Sequence, residues 1–387
     1  MSVTVRTGSQ ATAGAYAINP DQLVIDMMER VFQYDPPDSP MLTIVTKRAQ
    51  VMRARQTTVK HLEDDVLPDW DQANGAIASG ITQLVVDNPT YHREGDILKV
   101  VSTGETVKVT GVNTGTSTLT ILRSWGATAA ATIPDNAYLL NMGTPEAEGD
   151  VAPPAKSTVT TTQTNYTQIL RTVVHLTKTL DNVELYGGPE RNRQRRKAGA
   201  KHARLWEQIC LHGEKNEDTT SGDTPVRSAG GLDERISTNV LATGGTLTES
   251  QFIDFVGDCM RFSVRGNTRR KGLLASRELM ATISSWAGHK LQTNSSASAT
   301  YGIAVTTYIT PFGLLDIINH PLLETGYAGY GYIVDWDGIW YRPARRTTLN
   351  TNIQLPGEDA FKDEYFTEAS FSFALEKCFG KISGVTF

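Results

Sequence analysis

At 387 residues the chain has room for about one to three domains, and 39% hydrophobic with 20% charged residues is the composition of a soluble globular protein with a sizeable core. A formal net charge of −5 gives no overall reason to expect sequence-specific DNA binding. No run approaches the ~20 apolar residues of a membrane helix.

Residues 1–18 are small, polar and aperiodic and read as a flexible arm. They hold no apolar stretch behind a basic start, so no secretory signal is expected. Asn19 as N-cap and Pro20 at the first helical position open a short helix whose Leu23, Met27 and Val31 make one apolar stripe, and Pro36-Pro37 stops it. Such a helix cannot bury its own stripe and must dock on this subunit or on a neighbour. Residues 50–62 are β-branched and basic and read as an extended strand. The following EDDVLPDWDQANGAIASG is acidic and turn-rich and reads as an exposed loop.

Short β-rich runs at 96–101, 105–112, 118–123 and 137–141 are separated by Ser102-Thr103-Gly104, Asn113-Thr114-Gly115 and Pro134-Asp135-Asn136. Strands at this spacing predict a small antiparallel barrel or sandwich over 88–145. A proline-bearing linker at 143–156 closes it. A return strand at 164–178 makes the barrel an insertion into a long hairpin.

The longest helix is expected from Pro189 to His212, with Gly213 as its stop. Its first half carries Arg191, Arg193, Arg195, Arg196, Lys197, Lys201 and Arg204 against a single acid, Glu190. Its second half turns apolar at Leu205, Trp206, Ile209 and Cys210. Cations this dense repel one another and must face something that compensates them. Nucleic-acid phosphates would do so without sequence readout, and so would solvent or the acids of a neighbouring subunit.

Further on, Thr248 and Gln251 form a capping box ahead of a helix bearing Phe252, Phe255, Val256 and Cys259, which Gly266 should end. A short buried strand at 272–275 leads to Ser276, the cap of a helix with Leu279, Ile283 and Trp286. A polar loop at 292–300 follows. Strands are then expected at 303–309, 314–319, 331–335, 339–342 and 366–375. No internal repeat is visible.

Patterns for chemistry fail on spacing. Gly380-Lys381-Ile382-Ser383 lacks the upstream glycine of a phosphate loop, and GYAGYG at 326–331 does not match a dinucleotide fingerprint. Neither G-x-S-x-G nor H-E-x-x-H occurs, and His61-Leu62-Glu63 is not followed by P-C-x-x-C. The acids Glu63, Asp64, Asp65, Asp69 and Asp71 read as a solvated or inter-subunit face, and Asp335-Trp336-Asp337-Gly338 as a hairpin turn. His175 and His320 read as structural histidines. The aromatic set Tyr327, Tyr330, Tyr332, Trp336, Trp340 and Tyr341 reads as packing. Cys210, Cys259 and Cys378 form neither a metal motif nor a disulfide framework and read as buried free thiols. No catalytic, metal-binding or cofactor-binding residue and no cofactor are expected.

TTVKHLEDDVLP, GETVKVTGVN, EGDVAPP followed by NYTQILRTVVHLTKT, AGGLDERIST, YGIAVTTYITPFGLLDIINHPLLE and the closing IQLPGEDAFKDEYFTEASFSFALEKCFGKISGV occur in this order. Together with the sequence of arm, hairpin, long helix and mixed domain, they resemble major capsid proteins of tailed bacteriophages with the Hong Kong 97 fold. The similarity is to the branch with a β-barrel inserted in the extended loop. The resemblance implies an α+β fold with an N-terminal arm at 1–49 and an extended loop at 50–87 and 146–179. It further implies a barrel insertion at 88–145, a peripheral domain with a spine helix at 180–229 and 351–387, and an axial domain at 230–350.

It also implies a non-enzymatic shell subunit forming hexamers and pentamers of an icosahedral capsid around double-stranded DNA, in a virion assembled in the bacterial cytoplasm. The implied partners are further copies of itself, a separate scaffolding protein, a portal, a cement or decoration protein and non-specifically held double-stranded DNA, with no membrane. Covalent cross-linking of the shell is not expected. The basic helix is the candidate genome-facing surface. Arg53, Arg55, Lys60, Glu63, Asp64, Asp65 and Trp70 are candidates for inter-subunit contacts of the extended loop. An encapsulin-type nanocompartment, a β-rich tail protein and a hydrolase using the acids at 63–71 are the alternatives. The inserted barrel speaks against the first and the lack of repeats against the second.

Overall fold

The computed structural model describes residues 40–48, 51–149, 155–185, 188–220, 222, 224–264, 269–290, 307–324 and 326–387. The expected helix from Asn19, the loop at 292–300, the strand start at 303–306 and Gly266 lie outside these residues. The chain divides into two compact units, Leu62–Thr162 and the remainder on either side of it.

Within Leu62–Thr162 six strands form one antiparallel sheet. Their order is Trp70–Gln72, Tyr138–Asn141, Ile97–Val100, Thr106–Asn113, Thr118–Leu122 and Gln83–Val85. Successive side chains of a strand point to opposite faces. Leu98, Val100, Val107, Val109, Leu119 and Ile121 therefore share one face, which Leu84, Ile133 and Leu139 complete as a core. The four inner strands lie within about two residues of the runs seen in the sequence. One edge strand, Trp70–Gln72, comes instead from the segment expected to be loop and the other, Gln83–Val85, from just beyond it, because three residues are too few to display alternation. The acidic stretch is not all exposed either: Asp71 is buried, accepting from His92 Nε2 at 2.9 Å and Asn88 Nδ2 at 3.2 Å.

The larger unit holds a six-stranded mixed sheet. It is ordered Val240–Gly245, Gly380–Val385, Gly331–Val334, Arg270–Ala275, Gly313–Asn319, Thr307–Thr310. The first two strands pair in parallel, as do Arg270–Ala275 and Gly313–Asn319. The middle of this sheet is buried on both faces. Leu273 and Ala275 pack with Phe252, Val256, Leu279 and Ile283 of the helices Glu249–Met260 and Arg277–Lys290. Leu274, Tyr332 and Val334 pack on the other side with Trp206 and Phe371. Both helices begin as expected: Thr248 and Gln251 cap reciprocally, and Ser276 Oγ accepts from Leu279 N at 3.4 Å.

A three-stranded antiparallel sheet carries Ile339–Asn350, Ala360–Phe373 and Gln168–Thr177, and the long helix Glu190–His212 packs on it. Three expectations change here. The single return strand at 164–178 is two: Thr161–Tyr166 pairs with Thr58–Glu63 in a two-stranded ribbon, and Gln168–Thr177 joins the three-stranded sheet. Gly380–Val385 belongs to the six-stranded sheet, while Ile339–Asn350 joins the three-stranded one, so the C-terminal segment is shared between layers. Asp335–Gly338 is therefore no hairpin turn, because the strands on either side of it lie in different sheets. Alternation reveals a strand but not its neighbour.

Gly213 does end the long helix, though not through a left-handed cap: its φ is −61° and ψ 145°. A Cβ there would sit 2.4 Å from Ala229 O and 2.5 Å from Ile209 O, so close backbone approach is what requires glycine. The helix Pro40–Lys47 was not foreseen, since eight residues hold barely two turns of periodicity.

Candidate functional site

At 3.6 residues per turn the basic half of the long helix has two sides. Arg191 and Arg195 share the side of Ala198, His202 and Trp206, turned to the three-stranded sheet. Arg193, Arg196, Lys197, Lys201 and Arg204 lie on the other. Asp363 on the central strand meets the first pair: Arg191 reaches it through Nε at 2.8 Å and Nη2 at 2.7 Å, and Arg195 Nε at 2.9 Å. Asn352 N adds a fourth donor at 3.0 Å. The Arg191 hydrogen bonds outweigh the effect of burial and, with Arg195 and Asn352, hold this carboxyl well below the usual aspartate range. Arg191 also lies over the Phe361 ring, 4.4 Å from its centroid.

On the outer side Arg193 grips Glu190 through Nη2 at 2.6 Å and Nε at 2.7 Å, which keeps that carboxyl below its ordinary value. Lys197 feels the same carboxylate at longer range. Arg196, Lys201 and Arg204 form no ion pair among the described residues, and Arg196 and Lys201 are exposed. The seven cations noted in the sequence are thus two structural clamps and an outward basic stripe.

Buried polar groups anchor the helix. His202 bridges the long helix to two strands, with Nδ1 2.9 Å from Thr172 Oγ1 and Nε2 2.7 Å from Thr367 Oγ1, and burial lowers its pKa. Glu207 accepts from Met41 N at 2.7 Å, Leu42 N at 2.8 Å and His320 Nε2 at 2.8 Å. It satisfies the first free amides of the helix Pro40–Lys47, whose Met41 and Val45 enter the main core. In the insertion unit Arg123 grips Glu105 at 2.7 and 2.8 Å. Burial raises the Glu105 carboxyl, but Arg123 and the amides of Ser124 and Ala131 outweigh it and leave the group lowered. Sequence patterns missed Asp363, Glu207 and Glu105. Glu207 gave one signal, its place beside Trp206 in the apolar half of the helix, whereas Asp363 between Lys362 and Glu364 and Glu105 between Gly104 and Thr106 gave none.

The extended-loop candidates fall in both units. Arg53, Arg55 and Lys60 are exposed in the larger unit. In the insertion unit Asp64 accepts from Thr158 Oγ1 at 2.8 Å and Asp65 is exposed. The Glu63 carbonyl lies 3.5 Å from Thr161 Oγ1. Trp70 is 44% exposed and meets Tyr138 edge-on with centroids 6.4 Å apart.

His320 is buried and bound as expected of a structural histidine. His175 is half exposed and pairs with Glu358 at 2.9 Å rather than sitting among apolar groups. The three cysteines are free and buried, and burial pushes the Cys259 thiol up to about 12. No group of three or more His, Cys, Asp or Glu side chains is placed to hold a metal among the described residues.

The arrangement of two sheets and a long helix is that of phage capsid structures. The Cyanophage A-1(L) capsid asymmetric unit aligns with a TM-score of 0.55 at 8% identity, covering 95% of this chain and 99% of that one. The Gordonia phage Cozz structure aligns at 0.52 with 9% identity, covering 99% and 100%. Such identities speak for the fold alone. In sequence, a major capsid protein of Pseudomonas phage PaMx41 is 27% identical over 297 residues, 73% of this chain and 70% of that protein. The model of the SU10 major capsid protein family matches residues 4–386, and the chain belongs to that family. It is a structural capsid subunit, a virion component that assembles with itself into a shell.

Proposed function

We propose that this subunit has the Hong Kong 97 type of fold and builds an icosahedral shell of hexamers and pentamers around double-stranded DNA. In this reading the long helix is the spine of a peripheral domain at 180–229 and 351–387, and 230–350 is the axial domain. The exceptions are Ile339–Asn350, which goes with the peripheral sheet, and Gly380–Val385, which goes with the axial one. The ribbon Thr58–Glu63 with Thr161–Tyr166 belongs to the extended loop, and Leu62–Thr162 carries an inserted barrel. Closure of that barrel is supported by Asn74 N donating to Val85 O at 2.9 Å and Asp87 N to Gln72 O at 3.1 Å, between stretches next to the two edge strands.

The observation that carries the reading is the family match running through both units. Genome contact is supported by the outward stripe of Arg196, Lys197, Lys201 and Arg204, which can meet phosphates without reading bases. Arg53, Arg55, Lys60, Glu63, Asp64, Asp65 and Trp70 are the inter-subunit contacts of the loop. A scaffolding protein, a portal and a decoration protein are the partners that go with this reading, and bacterial cytoplasm is the place of assembly. The role is non-catalytic.

The test is electron microscopy of the co-expressed protein with its scaffold. Closed shells are expected, and a persistent monomer at every concentration would sink the reading. R196E with R204E should leave shells intact and lower their retained DNA. Equal DNA content would remove the genome contact. Arg195 is unsuited to this test because it clamps Asp363.

A further inference from the structure

The chain crosses directly between the six-stranded and three-stranded sheets of the larger unit at two short segments, outward through 335–338 and back through 374–379. The crossings are bonded to each other, Ala374 N donating to Gly338 O at 2.9 Å. The return crossing is conformationally costly: Leu375 has φ 57° and ψ 77°, a left-handed backbone that a bulky side chain rarely adopts. Such strain persists only where the surroundings over-determine it.

Here they do. The Glu376 carboxylate, 9% exposed, accepts from Ser237 N at 2.8 Å, Thr238 N at 2.6 Å and Thr238 Oγ1 at 2.8 Å. The next three carbonyls each receive a side-chain donor. Asn239 Nδ2 donates to Lys377 O at 2.8 Å and Phe379 O at 2.9 Å, and Lys271 Nζ to Cys378 O at 2.7 Å.

Lys271 is fully buried on the strand Arg270–Ala275. Its remaining N–H groups go to Cys259 O at 2.6 Å, in the last turn of the helix Glu249–Met260, and to Phe262 O at 2.9 Å. An ammonium has three donors, and here all three are used on carbonyls, two at the end of that helix and one on the return crossing. A helix C-terminus favours a cation beside it. Burial pulls this amine below the ordinary lysine value, and the acidic groups of Cys378, Asp335 and Cys259 oppose that pull. Each buried charge is thus solvated by backbone drawn from the six-stranded layer, and each ties the return crossing to that layer.

We propose that Lys271 and Glu376 are positioning residues that lock the return crossing, holding the three-stranded and six-stranded sheets at one mutual angle. Every copy then presents the same rigid body to its neighbours. That consequence rests on the shell reading; the lock itself does not.

The test is hydrogen–deuterium exchange of the full-length unassembled subunit, with microscopy of assembled particles. K271M and E376Q should raise exchange at residues 374–385 by about tenfold or more, while Gln168–Thr177 in the other sheet keeps its protection. K271R should restore most of the protection. Unchanged exchange at 374–385, an equal rise in both sheets, or arginine no better than methionine overturns the lock. Should K271M fail to fold, N239A removes two carbonyl contacts and leaves no buried charge unpaired. It carries the same expectation, and unchanged exchange at 374–385 overturns it likewise. Particles of K271M should vary in diameter. Uniform diameters alongside raised exchange overturn the consequence for the shell and leave the lock standing.

Discussion

Glu207 serves two elements at once, since its carboxylate is the only cap on the Met41 and Leu42 amides among the described residues and also the partner of His320. In E207A these donors lose a buried acceptor together, and a loss of about 3 kcal/mol is expected. E207Q keeps one acceptor oxygen and should lose about half of that. Thermal unfolding of the unassembled subunit measures both, and a melting point unchanged in E207A would contradict the assignment. Asp363 gives a pH dependence. Its folded pKa lies below the unfolded one, so its contribution is complete above the ordinary aspartate range, about pH 4, and fades as pH falls towards the folded value. The wild type should therefore lose stability below about pH 4 more steeply than D363N. Parallel acid-unfolding curves for the two would show that Arg191 and Arg195 do not depend on this carboxylate.

Among the elements, the long helix was legible nearly to the residue, because Pro189, a dense charged run and an apolar second half mark both its ends and its faces. The capping box at Thr248 was equally plain. What could not be read is which strand lies beside which. The apolar runs 331–335 and 339–342 read the same whether they form a hairpin or enter separate sheets, and the core in which Tyr332 meets Phe371 joins residues far apart in the chain. The two sides of the basic helix were hidden for a related reason. The partner Asp363 lies 172 residues from Arg191 in the chain. Gly213 belongs to this scale too, since its backbone contacts join the helix end to 229–231. G213A should cost about 1–3 kcal/mol through overpacking. A melting point equal to wild type would mean that the contact opens freely.

For the whole molecule, the apolar groups left outside the cores point to burial by neighbouring copies. Trp70, Val101 and Tyr138 are all exposed on the insertion unit, although the core of that unit is closed. Large aromatics dominate the energy of interfaces. W70A should leave the unit folded by circular dichroism and weaken assembly by about 2 kcal/mol per contact, raising the critical concentration seen by light scattering. Assembly at the wild-type concentration would remove Trp70 from the interface.

The partnership of Val240–Gly245 with Gly380–Val385 joins residues as far as 141 positions apart, Val240 with Lys381 among them. On a translating ribosome the insertion unit, with all its strands between 70 and 141, can complete itself early. The six-stranded sheet must wait for its second strand to emerge. Contacts of long sequence separation form slowly and late. The larger unit of a nascent chain is thus unfinished until translation has passed residue 385, and contacts that need that unit whole cannot form on the polysome before then.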